Sequence, residues 1–192
     1  MIIAKSRTHT DNWFVYHKSL GANAYIMLNQ TAAADTNNST VWQNVAPTSS
    51  VFYSSTGGYN DSGQSLVFYC WAEIPGYSSF GKYKGNGHSS TGTYMHLGFR
   101  PAFLVLKRTD DSKSWILFDN KRNTSNLVDK SLYPNKTDVE NNFSNLEVDF
   151  LSYGFKLRNS VNTINASGGT FIYMAFAEQS GQTPYDTFPN AR

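Results

Sequence analysis

The fold is decided by a stretch in the second half of the chain, Asn165-Ala166-Ser167-Gly168-Gly169-Thr170-Phe171-Ile172-Tyr173-Met174-Ala175-Phe176-Ala177-Glu178. An earlier stretch, Asn60 to Glu73, reads in the same way: Asn, Ser, Gly, Ala and Glu match in register, and large apolar residues align with large apolar residues. Similarity at a fixed period is typical of a repeated supersecondary unit. The sequence therefore predicts two related β units.

The same duplication extends upstream of both stretches. Lys5 and Trp13 stand eight residues apart, as do Lys107 and Trp115, and each Trp begins an apolar run. We therefore divide the chain into a first unit over 1–79 and a second over 80–192, packed either separately or as one continuous sandwich.

The apolar residues follow the periodicity of β-strands. Phe103 to Lys107 and Trp115 to Phe118 flank the turn-forming Thr109-Asp110-Asp111-Ser112, which predicts a hairpin. Helical patterning is almost absent, with short candidates only around 32–34 and 138–142. Many short strands separated by turn signals predict an all-β, antiparallel tandem-repeat β-sandwich, jelly-roll or concanavalin-like, with almost no helix. Further strands are predicted at 1–5, 13–16, 25–29, 51–53, 66–72, 94–99, 146–151, 155–158 and 171–177.

Two of these strands, Leu66–Ala72 and Phe171–Ala177, are apolar on both faces. Such strands lie in the middle of a sheet that is covered on both sides. The second unit also has a lead-in, Phe80–Gly87 and Tyr94–Phe99, for which the first unit shows no match. A sheet without this neighbour has an open edge, so we expect a fragment of a larger protein or a homo-oligomer that completes the sheet.

Composition excludes several classes of protein. The net charge is +2 with scattered basic residues, whereas nucleic-acid binding requires a concentrated basic patch. No segment approaches the roughly 20 apolar residues of a membrane-spanning helix. Cys70 is the only cysteine and lies in an apolar run, which predicts a buried, inert thiol. We expect no nucleic acid, no membrane insertion and no cofactor.

Candidate catalytic groups are few. Glu73 and Glu178 are repeat-equivalent, and a pair of carboxylates is the minimum for a glycoside hydrolase. The duplication alone explains why both are present, so we expect no enzyme activity. The four histidines show no metal-ligand spacing, and we expect no metal site.

Aromatic residues beside Asn, Ser and Gly suggest sugar recognition, because a ring face stacks on sugar C–H groups while amides and hydroxyls bond the rim. The alternative is that these rings cap the ends of the sandwich. The candidate glycan-binding residues are Trp42, Tyr59, Tyr83, Asn86 and His88.

Three segments, 73–87, 98–108 and 164–178, carry a resemblance to a known family. They include Gly98-Phe99-Arg100-Pro101 and the quoted repeat, and the chain resembles a repeated β module of marine and other tailed bacteriophages. That module has no assigned function and recurs in virion and tail-fibre-like proteins. The resemblance implies a virion location, on a tail fibre or capsid surface with extracellular action, and no catalytic residues.

We therefore expect a phage structural module that adheres to host-surface polysaccharide. The first alternative is a structural or decoration module that binds other virion proteins and no ligand. The second is a polysaccharide depolymerase that acts through Glu73 or Glu178.

Overall fold

The computed structural model describes residues 1–55, 59–140 and 146–178. Within these ranges the protein is all-β, with eleven strands in three antiparallel sheets and no helix. The strands are β1 (Ile2–Ser6), β2 (Phe14–Tyr16), β3 (Ile26–Met27), β4 (Leu66–Cys70), β5 (Ser78–Lys84), β6 (Tyr94–His96), β7 (Pro101–Arg108), β8 (Ile116–Asp119), β9 (Val148–Leu151), β10 (Gly154–Leu157) and β11 (Thr170–Ala177).

The first sheet has the order β3-β2-β1-β4, the second β5-β11-β7-β8, and the third β6-β10-β9. The two predicted hairpins are β1–β2 and β7–β8. Their registers correspond: Ile3 lies opposite Val15 in the first, and Val105 lies opposite Leu117 in the second. These are the positions that the Lys–Trp spacing aligns.

A backbone contact at the start of each second hairpin strand also corresponds. The side-chain oxygen of Asn29 accepts the Trp13 N–H at 3.0 Å, and that of Asn135 accepts the Trp115 N–H at 2.9 Å. An Asn side chain thus satisfies a backbone donor where each strand begins. The two hairpins therefore agree in detail as well as in strand order.

Three apolar cores lie between the layers of the structure. The central core lies between the first and second sheets and combines Ile3 and Val15 with Val105 and Trp115. A second core lies between the second and third sheets. A third packs the outer face of the first sheet against a segment that contains Val41, Trp42 and Tyr59. The second sheet is therefore covered on both faces.

Several sequence-based expectations are wrong. No strand forms at 51–53, and residues 32–34 are not helical; the 138–142 candidate lies partly outside the described residues. The expected central strand at 66–72 is β4, which pairs with β1 alone among the described strands. Cys70 at its end is exposed rather than buried, because none of the described strands covers this edge. Residues 79 and 80, between which we placed the boundary of the two units, both lie in β5; the division into units 1–79 and 80–192 itself stays a prediction.

Candidate functional site

The structure does not bring the five sequence-predicted site residues together, and it buries two of the rings beneath the first sheet. Trp42 is 1% exposed and Tyr59 is 0% exposed. The Tyr59 ring stacks on Phe14 with centroids 4.8 Å apart, and its hydroxyl accepts a hydrogen bond from Ser54. Burial raises the pKa of Tyr59 to about 12. The prediction that these two rings contact sugar is wrong, because each packs on neighbouring rings of the core.

Tyr83 is also a core residue. It lies on β5 between the second and third sheets, and its ring stacks on Phe171 with centroids 4.9 Å apart. Its hydroxyl donates to the carbonyl of Ile164 at 2.8 Å, and burial raises its pKa. Tyr83 therefore satisfies its polar atom internally, and its assignment to a glycan site is wrong.

Asn86 and His88 are exposed, in the loop that follows β5. This loop is held by Asn165, which is fully buried. The Asn165 amide donates to the Asn86 side-chain oxygen at 3.1 Å and to the His88 carbonyl at 3.2 Å, and its oxygen accepts the Asn86 N–H at 3.0 Å. The polar atoms of Asn86 are thus largely used to fix the loop, whereas the His88 side chain faces solvent.

Exposed rings cluster instead on the outer face of the third sheet. Tyr94 and His96 project from β6, and Tyr153 lies in the turn between β9 and β10. The His96 and Tyr153 rings are nearly parallel, at 22° with centroids 6.2 Å apart, and Tyr94 lies 6.5 Å from His96. Tyr153 is 63% exposed and Tyr94 is 46% exposed. We call Tyr94, His96 and Tyr153 the aromatic platform.

The local backbone explains why the platform forms here. The carbonyl of Tyr153 accepts hydrogen bonds from the N–H groups of Leu97 and Gly98, at 2.7 and 3.2 Å. The strands also approach so closely that a Cβ built on Gly154 would lie 1.9 Å from the Met95 carbonyl oxygen. Only glycine fits at this position. The turn that carries Tyr153 is therefore clamped against the end of β6.

Polar side chains flank the platform on the same face. Lys156 lies opposite Tyr94 on β10, and Asp149 lies opposite Lys156 on β9. Arg158 contacts Asp149, with 3.5 Å between the guanidinium Nε and the carboxylate. The Tyr94 hydroxyl is 3.4 Å from Nδ1 of His96. The face thus combines ring surfaces with hydrogen-bond donors and acceptors of both charges.

Sequence reasoning missed the platform, although a signal was present. Tyr94 and His96 are two residues apart on a predicted strand and therefore share a face. The intervening Met95 packs against the core, which leaves Tyr94 and His96 outside. Tyr153 could not be assigned in the same way, because its position depends on a turn.

A second group of rings lies along β4. The Tyr69 ring is nearly parallel to those of Trp13 and Trp71, each at 18°, with centroids 6.4 and 6.2 Å away. Tyr69 is 44% exposed, and both tryptophans are partly buried against the central core. This row is therefore an exposed margin of the core and not a separate cluster.

The two repeat-equivalent carboxylates are each held by a neighbouring cation. Glu73 pairs with Lys18, and Glu178 pairs with Arg100 at 2.8 Å. Asn120 also donates to Glu178 at 2.8 Å. In residues 1–55, 59–140 and 146–178, no group of His, Cys, Asp or Glu is arranged to hold a metal ion. No helix in these same ranges is long and apolar enough to span a bilayer.

The three sheets define an all-β antiparallel protein with sandwich-like layers and an exposed aromatic face. The chain belongs to a family described as a domain of unknown function, DUF7483, whose sequence model matches residues 1–180. Comparison with curated proteins and with solved structures finds no match.

Proposed function

We propose that this chain is an adhesion module that binds glycan through the aromatic platform. The observation that carries the proposal is the exposure of Tyr94, His96 and Tyr153 side by side on the outer face of the third sheet and its adjoining turn. Such rings offer flat apolar surface to sugar C–H groups, and their polar edges bond hydroxyls. Lys156 and Asp149 lie on the same face and supply further hydrogen-bonding groups.

The architecture supports a repeated module. We propose a tandem-repeat β-sandwich of jelly-roll or concanavalin-like type, since the strand registers and Asn–Trp contacts of the two hairpins correspond. The resemblance to phage virion modules extends the proposal to display on a tail fibre or capsid surface, facing host polysaccharide. A shallow platform favours low affinity at each site, and several copies supply avidity.

A glycan array tests the proposal with the protein multimerised on a carrier. We expect binding to a set of surface polysaccharides, and at least a tenfold loss of signal in Tyr153→Ala and Tyr94→Ala. The matched control is Tyr53→Ala, which removes a ring that is 43% exposed elsewhere. Equal loss in all three variants, or none in the platform variants, contradicts the assignment of the site.

A second candidate is a structural module that joins virion proteins and binds no sugar. The outer edge of β4 favours it: no other strand of the described residues pairs there, and an exposed strand edge pairs readily with another chain. Silence across the array, with a folded protein confirmed by circular dichroism, would support this alternative.

We propose a binding function rather than depolymerase activity because Glu73 and Glu178 are each occupied by a cationic partner. Size-exclusion chromatography of the bound polysaccharide after incubation tests this point, and we expect no change in chain length. Shortened chains that disappear in Glu73→Gln or Glu178→Gln would instead assign catalysis to that residue.

A further inference from the structure

Corresponding strands of the first two sheets differ in how many neighbours they have. β11 lies between β7 and β5, whereas β4 pairs with β1 on one side and with no other described strand. The two strands are equivalent in register: Cys70 lies opposite Ile2 on β1, and Ala175 lies opposite Leu104 on β7. The second sheet therefore shows what occupies this edge when it is filled.

The backbone of β4 presents hydrogen-bonding groups at its outer edge. At one end Met1 and Trp71 bond each other in both directions at 3.0 Å, and at the other the Arg7 N–H donates to Ser65 at 2.7 Å. Because inward and outward groups alternate in an antiparallel ladder, the backbone groups that face outward belong to Leu66, Phe68 and Cys70.

The equivalent groups of β11 are those that bind β5. The Thr109 N–H donates to the Thr170 carbonyl at 2.9 Å, which directs Thr170 toward β7. Because the direction alternates along β11, the backbone N–H and C=O groups of the residues at the odd-numbered positions 171, 173 and 175 point toward β5. These ladder pairs are Phe171 with Tyr83, Tyr173 with Gly81, and Ala175 with Ser79.

The exposure of the side chains differs between the two edges in the same way. Phe80 of β5 lies opposite Met174, is 2% exposed, and completes the central core. The residue of β4 that corresponds to Met174 is Tyr69, and it is 44% exposed. A strand placed beside β4 in the manner of β5 would cover Tyr69 and extend the same core.

Grooves lie on both faces of this edge. One, of about 440 Å³, is lined by residues that include Met1, Cys70 and Trp71. The other, of about 500 Å³, is lined by Trp13, Val67 and Tyr69 among others. An added strand points successive side chains to opposite faces, and pockets for alternate side chains are typical of recognition by strand addition.

We propose that the outer edge of β4 is a docking site for an extended segment with the sequence pattern of β5, donated by another unit of this kind. The segment runs antiparallel to β4. Its residues equivalent to Ser79, Gly81 and Tyr83 pair with Cys70, Phe68 and Leu66 of β4, respectively. In the second sheet, the β5 residues pair in the same order with Ala175, Tyr173 and Phe171 of β11. Its phenylalanine covers Tyr69.

Disulfide exchange with the full chain tests both binding and register. The probe is a synthetic peptide of residues 76–86 with Ser79→Cys, whose thiol is carried as a mixed disulfide with thionitrobenzoate. The thiolate of Cys70, the only cysteine of the chain, attacks the peptide sulfur and releases thionitrobenzoate, which is followed by its absorbance. Hydrogen-bonded partners have Cα atoms about 5.5 Å apart, within the range of disulfides.

We expect exchange to be at least tenfold faster with this peptide than with a Phe80→Cys peptide, whose sulfur points to the opposite face. Methylating the backbone nitrogens of Gly81 and Tyr83 should remove the advantage, because these N–H groups face β4. Methylation at Lys82 and Lys84 should leave it.

Equal rates for the two cysteine positions would overturn the proposal, as would equal effects of the two methylation patterns.

Discussion

At the scale of single residues, His17 shows how burial makes stability depend on pH. His17 is 1% exposed; its Nε2 donates to the Tyr173 carbonyl at 3.1 Å, and its Nδ1 accepts the Ser19 N–H at 3.2 Å. This pattern requires the neutral imidazole. Desolvation by burial lowers the pKa of His17 from 6.5 to about 4, with Lys18 assisting and Glu73 opposing.

Between pH 6.5 and about pH 4, His17 is therefore protonated in the unfolded chain and neutral in the folded protein. The stability associated with neutral His17 is fully present above pH 6.5 and is lost as the pH falls toward 4. The variant His17→Gln keeps a donor for the Tyr173 carbonyl. As the pH falls through this window, we expect its free energy of unfolding to decrease by roughly 3 kcal/mol less than that of the wild type. Urea denaturation at pH 7.5 and pH 4.5 measures the difference. Parallel losses in the two proteins would contradict this assignment.

Lys107 and Lys5 are repeat-equivalent but differ in burial. Lys107 is 0% exposed, and its ammonium donates to the carbonyls of Thr31 and Lys113 at 3.0 and 2.7 Å. Burial lowers its pKa to about 8. Lys5 donates to two carbonyls of its own hairpin and is only partly buried.

We expect Lys107→Ala to lower the free energy of unfolding by about 2 kcal/mol, because two carbonyls lose a charged donor and the packing of a fully buried side chain is lost. Lys5→Ala is the matched control and should cost less than about 1 kcal/mol, since water can replace the donor. Chemical denaturation of both variants provides the comparison, and equal losses would show that burial does not raise the contribution of Lys107 above that of Lys5.

The sequence neighbours of a residue did not predict whether its side chain is exposed. Trp42, Tyr59 and Tyr83 were selected for their polar sequence neighbours, yet all three are buried. Polar or charged neighbours such as Gln43 and Lys84 are exposed while the adjacent ring is buried, so the composition around a residue does not report the exposure of that residue. Cys70 shows the opposite error: its apolar run indicated burial, but burial required a strand that no described residue supplies.

At the scale of elements, the hairpins and the β11 strand follow from sequence because local turn chemistry and period-two patterning determine them. The different environments of β4 and β11 do not follow, although both are apolar on both faces. The apolar pattern of a strand specifies which of its faces can be buried. Whether the strand lies at the edge or in the centre of a sheet depends on whether a second strand pairs with it. The predicted lead-in around Phe80 is the element that makes this difference for β11.

The pairing of β6 with β10 depends on Gly154. A methyl group there would meet the Met95 carbonyl, so Gly154→Ala must push β6 away from β10. We expect a loss of about 3 kcal/mol, faster hydrogen exchange of β6 amides, and weaker glycan binding because the platform separates. Gly98→Ala is the control: its Cβ would contact nothing within 4 Å, but its φ of +82° should cost about 1 kcal/mol. A larger loss at Gly98 would contradict the close-approach argument.

At the scale of the whole molecule, the central core belongs equally to both halves of the chain. Ile3 and Val15 of the first sheet pack with Val105 and Ile172 of the second. Polar contacts also cross between the sheets: the Trp115 indole N–H donates to the Met27 carbonyl at 2.9 Å. The apolar faces that the first and second sheets turn toward each other are each covered by the other sheet. We therefore expect the two halves of the duplicated sequence to unfold as one cooperative unit.

This sharing predicts a single unfolding transition, with tryptophan fluorescence and far-ultraviolet circular dichroism changing at the same denaturant concentration. Ile3→Ala and Val105→Ala each remove a buried group from the shared core, so each should lower the one midpoint seen by both probes, at a cost of about 2 to 4 kcal/mol. Exposed Val139, which is 84% exposed, provides the control Val139→Ala. Two separate transitions, with Ile3→Ala moving one and Val105→Ala the other, would mean that each unit folds alone. The central core would then be a contact between finished domains, and strand addition at β4 would have to stabilise the first unit without affecting the second.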